Sequence, residues 1–430
     1  MHAILVSLGT DGDILPYVGL GAALRARGHR VTLVASAHYE SLASAHGLGF
    51  RALVSVEEND ALFGHPDFWR PGRNMPLMIR WGLRLRQRHY ELLSKLAAPD
   101  AVFVTTPALL PARLVHEKTG TPLVSLVLQP WMIPSAIAPP IMPGLVFLRN
   151  APAVFWKLFW RGANLGGDIF IGRKVNRLRA SLGLRPVRGL FRNWLSPQLV
   201  LGLFPEWYGK PQADWPPQMR LTGFPMFDGG RNADLPAPLA EFCRAGNPPI
   251  VFTFGTGMAH SAPLFRAALE ACGILDVRGI FLTKYRDQLP DPLPPSIIHC
   301  AFAPFRKLFP LCAAVVHHGG IGTVAEALAA GVPQLIRPIC FDQIDNGERT
   351  RRLGAGAWLK PRRARGREIA DALRKLLDTE TLSRCRAISA RFKDANALET
   401  TAQSIEKFAA EKLALAAVTG ASPDNNGRGN

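Results

Sequence analysis

Short apolar runs alternate with stretches of helical period along this chain, and the alternation begins twice. In the first half, residues 2–8 read as a buried strand ended by Gly9. "YVGLGAALRARGHRVTLVA" then supplies a helix, a stop at Gly28 and a second strand at 31–35. The unit repeats in "DAVFVTTPALLPARLVHEKTGTPLVSLVL", with strands near 101–105 and 123–128. In the second half the strands are "PIVFTFG" (249–255), "GIFLT" (279–283), "AAVVHH" (313–318) and "QLIRP" (334–338), with helices at 261–272 and 323–330. Strands that alternate with helices run parallel, because each crossover brings the chain back to the same end of the sheet, and the helices then cover both faces. The expected fold class is α/β, with two Rossmann-like domains facing across a cleft.

The stretch between the halves is rich in Phe, Trp and Arg and reads mostly as helices. Its Phe147, Phe155, Trp156, Phe159, Trp160 and Phe170 are interleaved with Arg149, Lys157 and Arg161. Such a stripe is first of all core, and the basic residues within it leave room for a lipid-facing entrance. Pro205, Pro211, Pro216, Pro217, Pro225, Pro236 and Pro238, with Gly229-Gly230, have the composition of a linker. The division that results is an N-terminal domain over 1–220 and a C-terminal domain over 221–400. A helix over 401–416 returns to the first domain, and a polar, Gly-rich tail over 417–430 is expected to be disordered. At 430 residues, 48% of them hydrophobic, the chain can fill two such cores.

Fifty-one Lys and Arg against 33 Asp and Glu leave a net charge of +18. That surplus suits phosphate-bearing ligands or an anionic membrane surface. Nucleic acid is not expected as a partner, because the basic residues are scattered through amphipathic segments rather than gathered in a tail or module. The six cysteines include no C-x-x-C pair, which argues against zinc and against a disulfide framework and fits a reducing compartment. The sequence opens without a basic leader or cleavage site and holds no apolar run of about 18 residues. The expectation is a cytoplasmic protein, with peripheral contact to the inner face of the membrane as an option.

One stretch concentrates the chemistry: "VVHHGGIGTVAEALAAGVPQLIRPICFDQIDN", residues 315–346. A strand ends at His317-His318, three glycines follow, and a helix is expected from Thr323. Glycines let a ligand approach the backbone, and a helix N-terminus offers free N–H groups and partial positive charge, so the place suits an anion. Each residue also has a plainer reading. Thr323 to Glu326 has the spacing of a capping box. His317 fits a core histidine, Gly331 followed by Pro333 an ordinary helix stop, and Asp342-Gln343 a turn.

In this order the residues resemble the donor signature of the family 1 glycosyltransferases of GT-B fold, which use nucleotide sugars. "GTDGDILPYVGLGAALRARGHRVTLVA", "LTGFPMFD" (221–228), "VFTFGTGM" (251–258) and "FAPF…LFPLCAAVVHHGG" are similar to that family's other segments, so the resemblance covers nearly the whole chain. Several of them look most like a rhamnosyltransferase branch that acts in glycolipid synthesis. The resemblance implies that His318 and Thr323 bind a diphosphate with the backbone of Gly320 and Gly322, and that Thr256, where Ser is usual, reaches a phosphate oxygen. It implies that Glu326 accepts from the ribose hydroxyls, that Phe302 stacks on the base while the Ala303 backbone reads its edge, and that Asp342 and Gln343 hold sugar hydroxyls.

Asp11 and Asp13, in "SLGTDGDILP", admit three readings: a D-x-D metal clamp, turn chemistry, or a catalytic base. Asp-Gly is common turn chemistry, which suits Asp11. Asp13 matches the acid that serves as general base in the similar family, whose diphosphate site needs no metal, so no metal or other cofactor is expected. The implied activity is an inverting hexosyltransferase. It would use a dTDP- or UDP-sugar, with dTDP-L-rhamnose favoured, and an apolar hydroxyl acceptor such as a hydroxy-fatty acid. UDP-glucose with a sterol, flavonoid or polyketide is the alternative. A non-catalytic nucleotide-sugar-binding protein is the alternative of another class, and the intact set of Asp13, His318, Glu326 and Asp342-Gln343 argues against it.

Overall fold

The apolar runs pair side by side as parallel strands. In the computed structural model, which describes residues 1–107, 109–230, 234–255, 257–258, 260–360 and 365–419, the first sheet holds seven of them. They are β1 (His2–Val6), β2 (Arg30–Ser36), β3 (Gly49–Val54), β4 (Ala101–Thr105), β5 (Leu123–Val127), β6 (Leu199–Gly202) and β7 (Met219–Leu221), in the spatial order 3-2-1-4-5-6-7. The second sheet holds β8 (Ile250–Thr253), β9 (Gly279–Leu282), β10 (Ile297–Cys300), β11 (Ala314–His317), β12 (Gln334–Ile336) and β13 (Gly356–Trp358), in the order 10-9-8-11-12-13. Every residue of β1, β4 and β5 is buried, as expected of a parallel sheet covered on both faces. The chain is α/β, with two Rossmann-like units.

Each strand order reverses once, between β1 and β4 and between β8 and β11. Loops that leave the C-terminal ends of strands diverge at such a point and open a crevice, where open α/β sheets bind their ligands. The helix Asp11–Ala26 leaves β1 there, and the loops that begin at Phe254 and His318 leave β8 and β11.

Three expectations need correction. The Pro-rich segment is not a loose linker. It carries β7 in the first sheet, and its Phe204, Tyr208 and Phe224 are buried in one apolar cluster with Val324, Leu328 and Ile336 of the second half. Prolines there fix turns in a packed seam between the two units. The aromatic stripe is not all core. Trp156 is buried, whereas Phe147 and Phe170 stand 77% and 80% exposed. The C-terminal helix runs Ala397–Thr419, so residues 417–419, assigned to the tail, are helical, while 420–430 lie outside the described residues. This helix lays Ala402, Ile405, Phe408 and Ala409 into the core beneath β1 and β2, and Arg27 pairs with its Glu399 and Glu406. Truncating the fully buried Ile405 to Ala should cost about 2–5 kcal/mol.

Candidate active site

The loop after β11 is built around a core histidine. His317 is fully buried, its Nδ1 accepts the Gly319 N–H at 3.1 Å, and its Nε2 lies 3.0 Å from Gln334 Oε1. Accepting at Nδ1 leaves the proton on Nε2. Burial and the neighbouring His318 hold its pKa down at about 3, so the ring is neutral and shapes the turn. The plainer reading of His317 is the right one.

The helix that follows runs Ile321–Ala330, with Gly320 as its N-cap, two residues earlier than expected. Gly322 and Thr323 therefore lie in its first turn. The N–H groups of Ile321, Gly322 and Thr323 have no carbonyl of their own helix to bond. A Cβ at Gly322 would meet nothing within 4 Å, so the helix end faces open space. The capping box does not form, because Glu326 stands a full turn beyond the capping position. Its Oε1 instead lies 3.4 Å from Arg306 Nε, and its Oε2 is buried without a partner among the described residues. Burial pushes the Glu326 carboxyl above its ordinary pKa, against Arg306, and Asp228 adds to the rise.

His318 lies over this helix end. A Cβ on Gly320 would come within 2.6 Å of its Nε2, and one on Gly255 within 3.2 Å. The imidazole is thus wedged between the loops after β8 and β11, and neither glycine has room for a side chain. Burial lowers its pKa to about 4, and its Nδ1 is buried without a partner among the described residues. Thr256, expected in the β8 loop, lies outside the described residues. Phe302 is 45% exposed and Ala303 buried, on the loop that leads into the Phe305–Leu308 helix, and Arg306 of that helix reaches Glu326. The described candidates for base, ribose and phosphate thereby lie at the C-terminal ends of the second sheet's strands.

Asp342 caps the helix Gln343–Arg352, so the pair Asp342-Gln343 is a helix start rather than a loop turn. The Gln343 side-chain oxygen accepts from the N–H groups of Ile339 and Cys340 at 2.7 and 3.0 Å and holds the preceding loop. Phe341 sits in that loop at φ +53°, a left-handed backbone that a bulky residue adopts only under constraint. Its ring meets Phe68 of the first domain, with centroids 5.4 Å apart.

Asn346 is a residue that sequence reasoning missed. It is fully buried one turn after Asp342, donates to Asp342 Oδ2 at 2.6 Å and to the Gly319 carbonyl at 2.9 Å, and accepts from the Tyr208 hydroxyl at 3.1 Å. It links the turn at Gly319, the start of the Gln343–Arg352 helix and the seam at Tyr208. Next to it, Asp345 accepts the Ile141 N–H at 2.9 Å and pairs with Arg349 at 2.7 Å. The i, i+4 spacing of Asp342 and Asn346 was the one available signal.

Across the cleft, Asp11 and Asp13 open the helix Asp11–Ala26 rather than a free turn. They face different partners. Asp11 accepts from the Tyr39 hydroxyl at 2.9 Å, whereas Asp13 Oδ2 accepts the Thr10 N–H at 2.9 Å. The Asp13 carboxylate covers Gly9, where a Cβ would lie 2.1 Å from Oδ2, and Gly9 has φ +149°. Asp13 is half-buried. Burial pushes its pKa up to about 6, against the pull of the Thr10 bonds and with help from Asp11. Asp342 is pushed up to about 7 by burial, against its Asn346 bond, and the field of Asp13 adds to the rise. A Cβ on Gly257, in the β8 loop, would touch Thr10 at 3.0 Å. The first turn that carries Asp13 therefore sits directly against the loop after β8.

The profile described as "Glycosyltransferase family 28 N-terminal domain" matches residues 3–137, and "Erythromycin biosynthesis protein CIII-like, C-terminal domain" matches 267–411. O-mycaminosyltylonolide 6-deoxyallosyltransferase of Streptomyces fradiae is 30% identical over 394 residues, which cover 86% of this chain and 88% of that enzyme. A sterol 3-beta-glucosyltransferase of Debaryomyces hansenii is 27% identical over 93% of this chain, but the chain spans only 26% of that enzyme's length. Among solved structures, the spinosyn rhamnosyltransferase SpnG superposes with a TM-score of 0.67 at 20% identity, covering 94% of this chain and 100% of that one. SpnG has been solved with thymidine diphosphate and with the spinosyn aglycone. At that identity the likeness carries the fold alone.

Proposed function

The chain belongs to the nucleotide-sugar glycosyltransferases of GT-B fold, and from that premise we propose the reaction, donor and acceptor that its cleft serves. The acceptor hydroxyl gives its proton to Asp13 while its oxygen attacks C1 of the sugar. The bond from C1 to the diphosphate oxygen breaks on the opposite face, and the anomeric configuration inverts. Negative charge gathers on the leaving diphosphate, and the N–H groups of Ile321, Gly322 and Thr323 with the imidazole of His318 donate to it. Those donors take the place of a metal ion.

One observation supports this reading: Asp13, its carboxyl raised to about 6, lies on the turn that meets the loop after β8, whose Gly255 packs on His318 at the start of the helix Ile321–Ala330. A base is most effective when its pKa lies near the working pH, and such a group contributes about 10²–10⁴-fold. Glu326 accepts from the ribose hydroxyls with its unpartnered oxygen, Phe302 stacks on the base beside the Ala303 backbone, Thr256 reaches a phosphate, and Asp342, steadied by Asn346, holds the sugar with Gln343.

The favoured donor is dTDP-L-rhamnose, in keeping with a rhamnosyltransferase among the structural neighbours and its thymidine diphosphate complex. The favoured acceptor is an apolar molecule with a free hydroxyl, such as a hydroxy-fatty acid. UDP-glucose with a sterol is the second reading, supported by the sterol glucosyltransferase match across 93% of the chain. Thermal-shift screening of dTDP, UDP and their sugars distinguishes the donors. Slow release of nucleotide from the true donor without acceptor is expected, and a chain that binds donors but releases no nucleotide either alone or with apolar hydroxyl acceptors would overturn the transferase mechanism.

A further inference from the structure

The helix Ala153–Gly167 continues through a π turn, Asp168–Gly172, into Arg173–Ser181. Val154, Leu158, Leu165 and Ile169 recur along it at helical spacing, and all four are more than half exposed. Phe170 and Phe147 flank this stripe and are the most exposed of the large apolar side chains. Soluble surfaces scatter such residues singly, whereas a run along one helix face marks a contact. Among the described residues, no helix is long and apolar enough to cross a membrane.

The exposed charge along this helix has one sign. The same continuous helix carries Lys157, Arg161, Arg173, Lys174 and Arg177 on its exposed surface. Its single acid, Asp168, is turned inward onto the Gly189 N–H, at 2.8 Å. Further along, Lys174 and Arg177 join Arg80, Arg84 and Arg86 around a shallow hollow of about 310 Å³ that has no acid in its wall. We propose that this face docks onto an anionic lipid bilayer, with the apolar stripe lying in the acyl boundary and the basic rim and hollow on the phosphate headgroups. An amphipathic surface of this composition binds in the interface plane, and each basic residue near the surface adds to the attraction. A second copy of the chain fits less well, because its identical rim would bring like charges together.

The docking rests on the surface alone and does not depend on the transfer reaction. If the proposed function holds, it also explains where an apolar acceptor enters. Trp160 of the helix donates to the Ser135 carbonyl at 2.9 Å, and the chain from there passes the exposed Ile137 to Ile141, whose N–H is held by Asp345 beside the donor-sugar loop.

The test is sedimentation of the full chain with vesicles of phosphatidylcholine, and with vesicles in which phosphatidylglycerol replaces a third of it. Binding to the anionic vesicles should be about tenfold stronger or more, and should weaken with salt. L158E/L165E and, separately, K174E/R177E should each lose about tenfold or more in vesicle binding, with melting temperature unchanged because all four side chains are exposed. Equal binding to both vesicle types, no binding at all, or loss of binding only in variants that melt early would overturn the proposal. So would a concentration-dependent dimer that L158E/L165E abolishes, which would assign the face to a second copy.

Discussion

Asp13→Asn separates chemistry from architecture because the two effects have opposite signs. The amide keeps the size of the carboxylate, and its oxygen can still accept the Thr10 N–H now made at 2.9 Å. As a base, Asp13 is worth about 10²–10⁴ in turnover, and that should be lost. Donor affinity, set across the cleft, should hardly change. Stability should rise. Moving the carboxyl from 3.8 to about 6 amounts to about 3 kcal/mol of penalty on the ionised form, and the partial exposure of Asp13 lowers this to about 1–3 kcal/mol. The folded protein holds this proton more tightly than the unfolded chain. The stabilisation from Asp13 is therefore complete below pH 3.8 and is lost as the pH climbs through about 6. Asn has nothing to lose, so its advantage should grow between about pH 4 and 7. Turnover, nucleotide Kd and melting temperature are measured on wild type, Asp13→Asn and Asp11→Asn across that range. Asp11→Asn should be mild, since Asn can still accept from the Tyr39 hydroxyl. Equal losses of turnover at both positions, or a destabilised Asp13→Asn with normal turnover, would refute the base assignment.

Glu326→Gln should lower nucleotide affinity about tenfold by removing a charged acceptor while the melting temperature holds or rises, because burial already disfavours the ionised Glu326; unchanged affinity in a titration of the free nucleotide would exclude the ribose role. Asn346→Ala leaves the Gly319 carbonyl and the Tyr208 hydroxyl without their partner and should cost about 2–4 kcal/mol of stability, read by denaturant unfolding, together with a fall in kcat. Activity in excess chelator should stay at its starting value, and collapse with rescue by magnesium or manganese would return Asp11 and Asp13 to a metal reading.

The parts of this site that could be read from sequence are those built locally. A strand end, three glycines and a helix start fall within nine residues of β11, so position along the chain translates directly into position at the crevice. The same holds for Gly9, Thr10 and Asp13 after β1. Boundaries were less legible. The capping pattern of Thr323 to Glu326 was sound as a pattern, but Gly320 starts the helix first and leaves Glu326 a turn too late to cap it. Strands escaped as well: β3, β6, β7, β10 and β13 were not read, and of these β7 and β13 have only three residues, with β7 among prolines. The helix Gln343–Arg352 was not read from sequence, and its mostly polar residues include Asp345, Asn346, Glu348 and Thr350, all buried. Only tertiary structure supplies Tyr208, Ile141 and Trp358 as their partners.

That buried polar helix also explains how two distinct sheets can share one reaction. A transferase of this kind must hold acceptor and donor in register to well under an ångström, since misplacement by about 1 Å can cost about 10²-fold. The apolar seam of Phe204, Tyr208 and Phe224 is non-directional and by itself would let the domains slide. Hydrogen bonds from Ile141 to Asp345 and from Tyr208 to Asn346 fix direction, and both end on the helix that Asp342 caps. Asn346 then passes the constraint to the Gly319 carbonyl, at the turn into the helix Ile321–Ala330. On this argument Asn346→Asp, which keeps the volume but sets a second carboxylate against Asp342, should misalign donor and base together. It should lower kcat more than it raises the donor Kd, whereas a residue that only bound the sugar would lose affinity and rate in proportion.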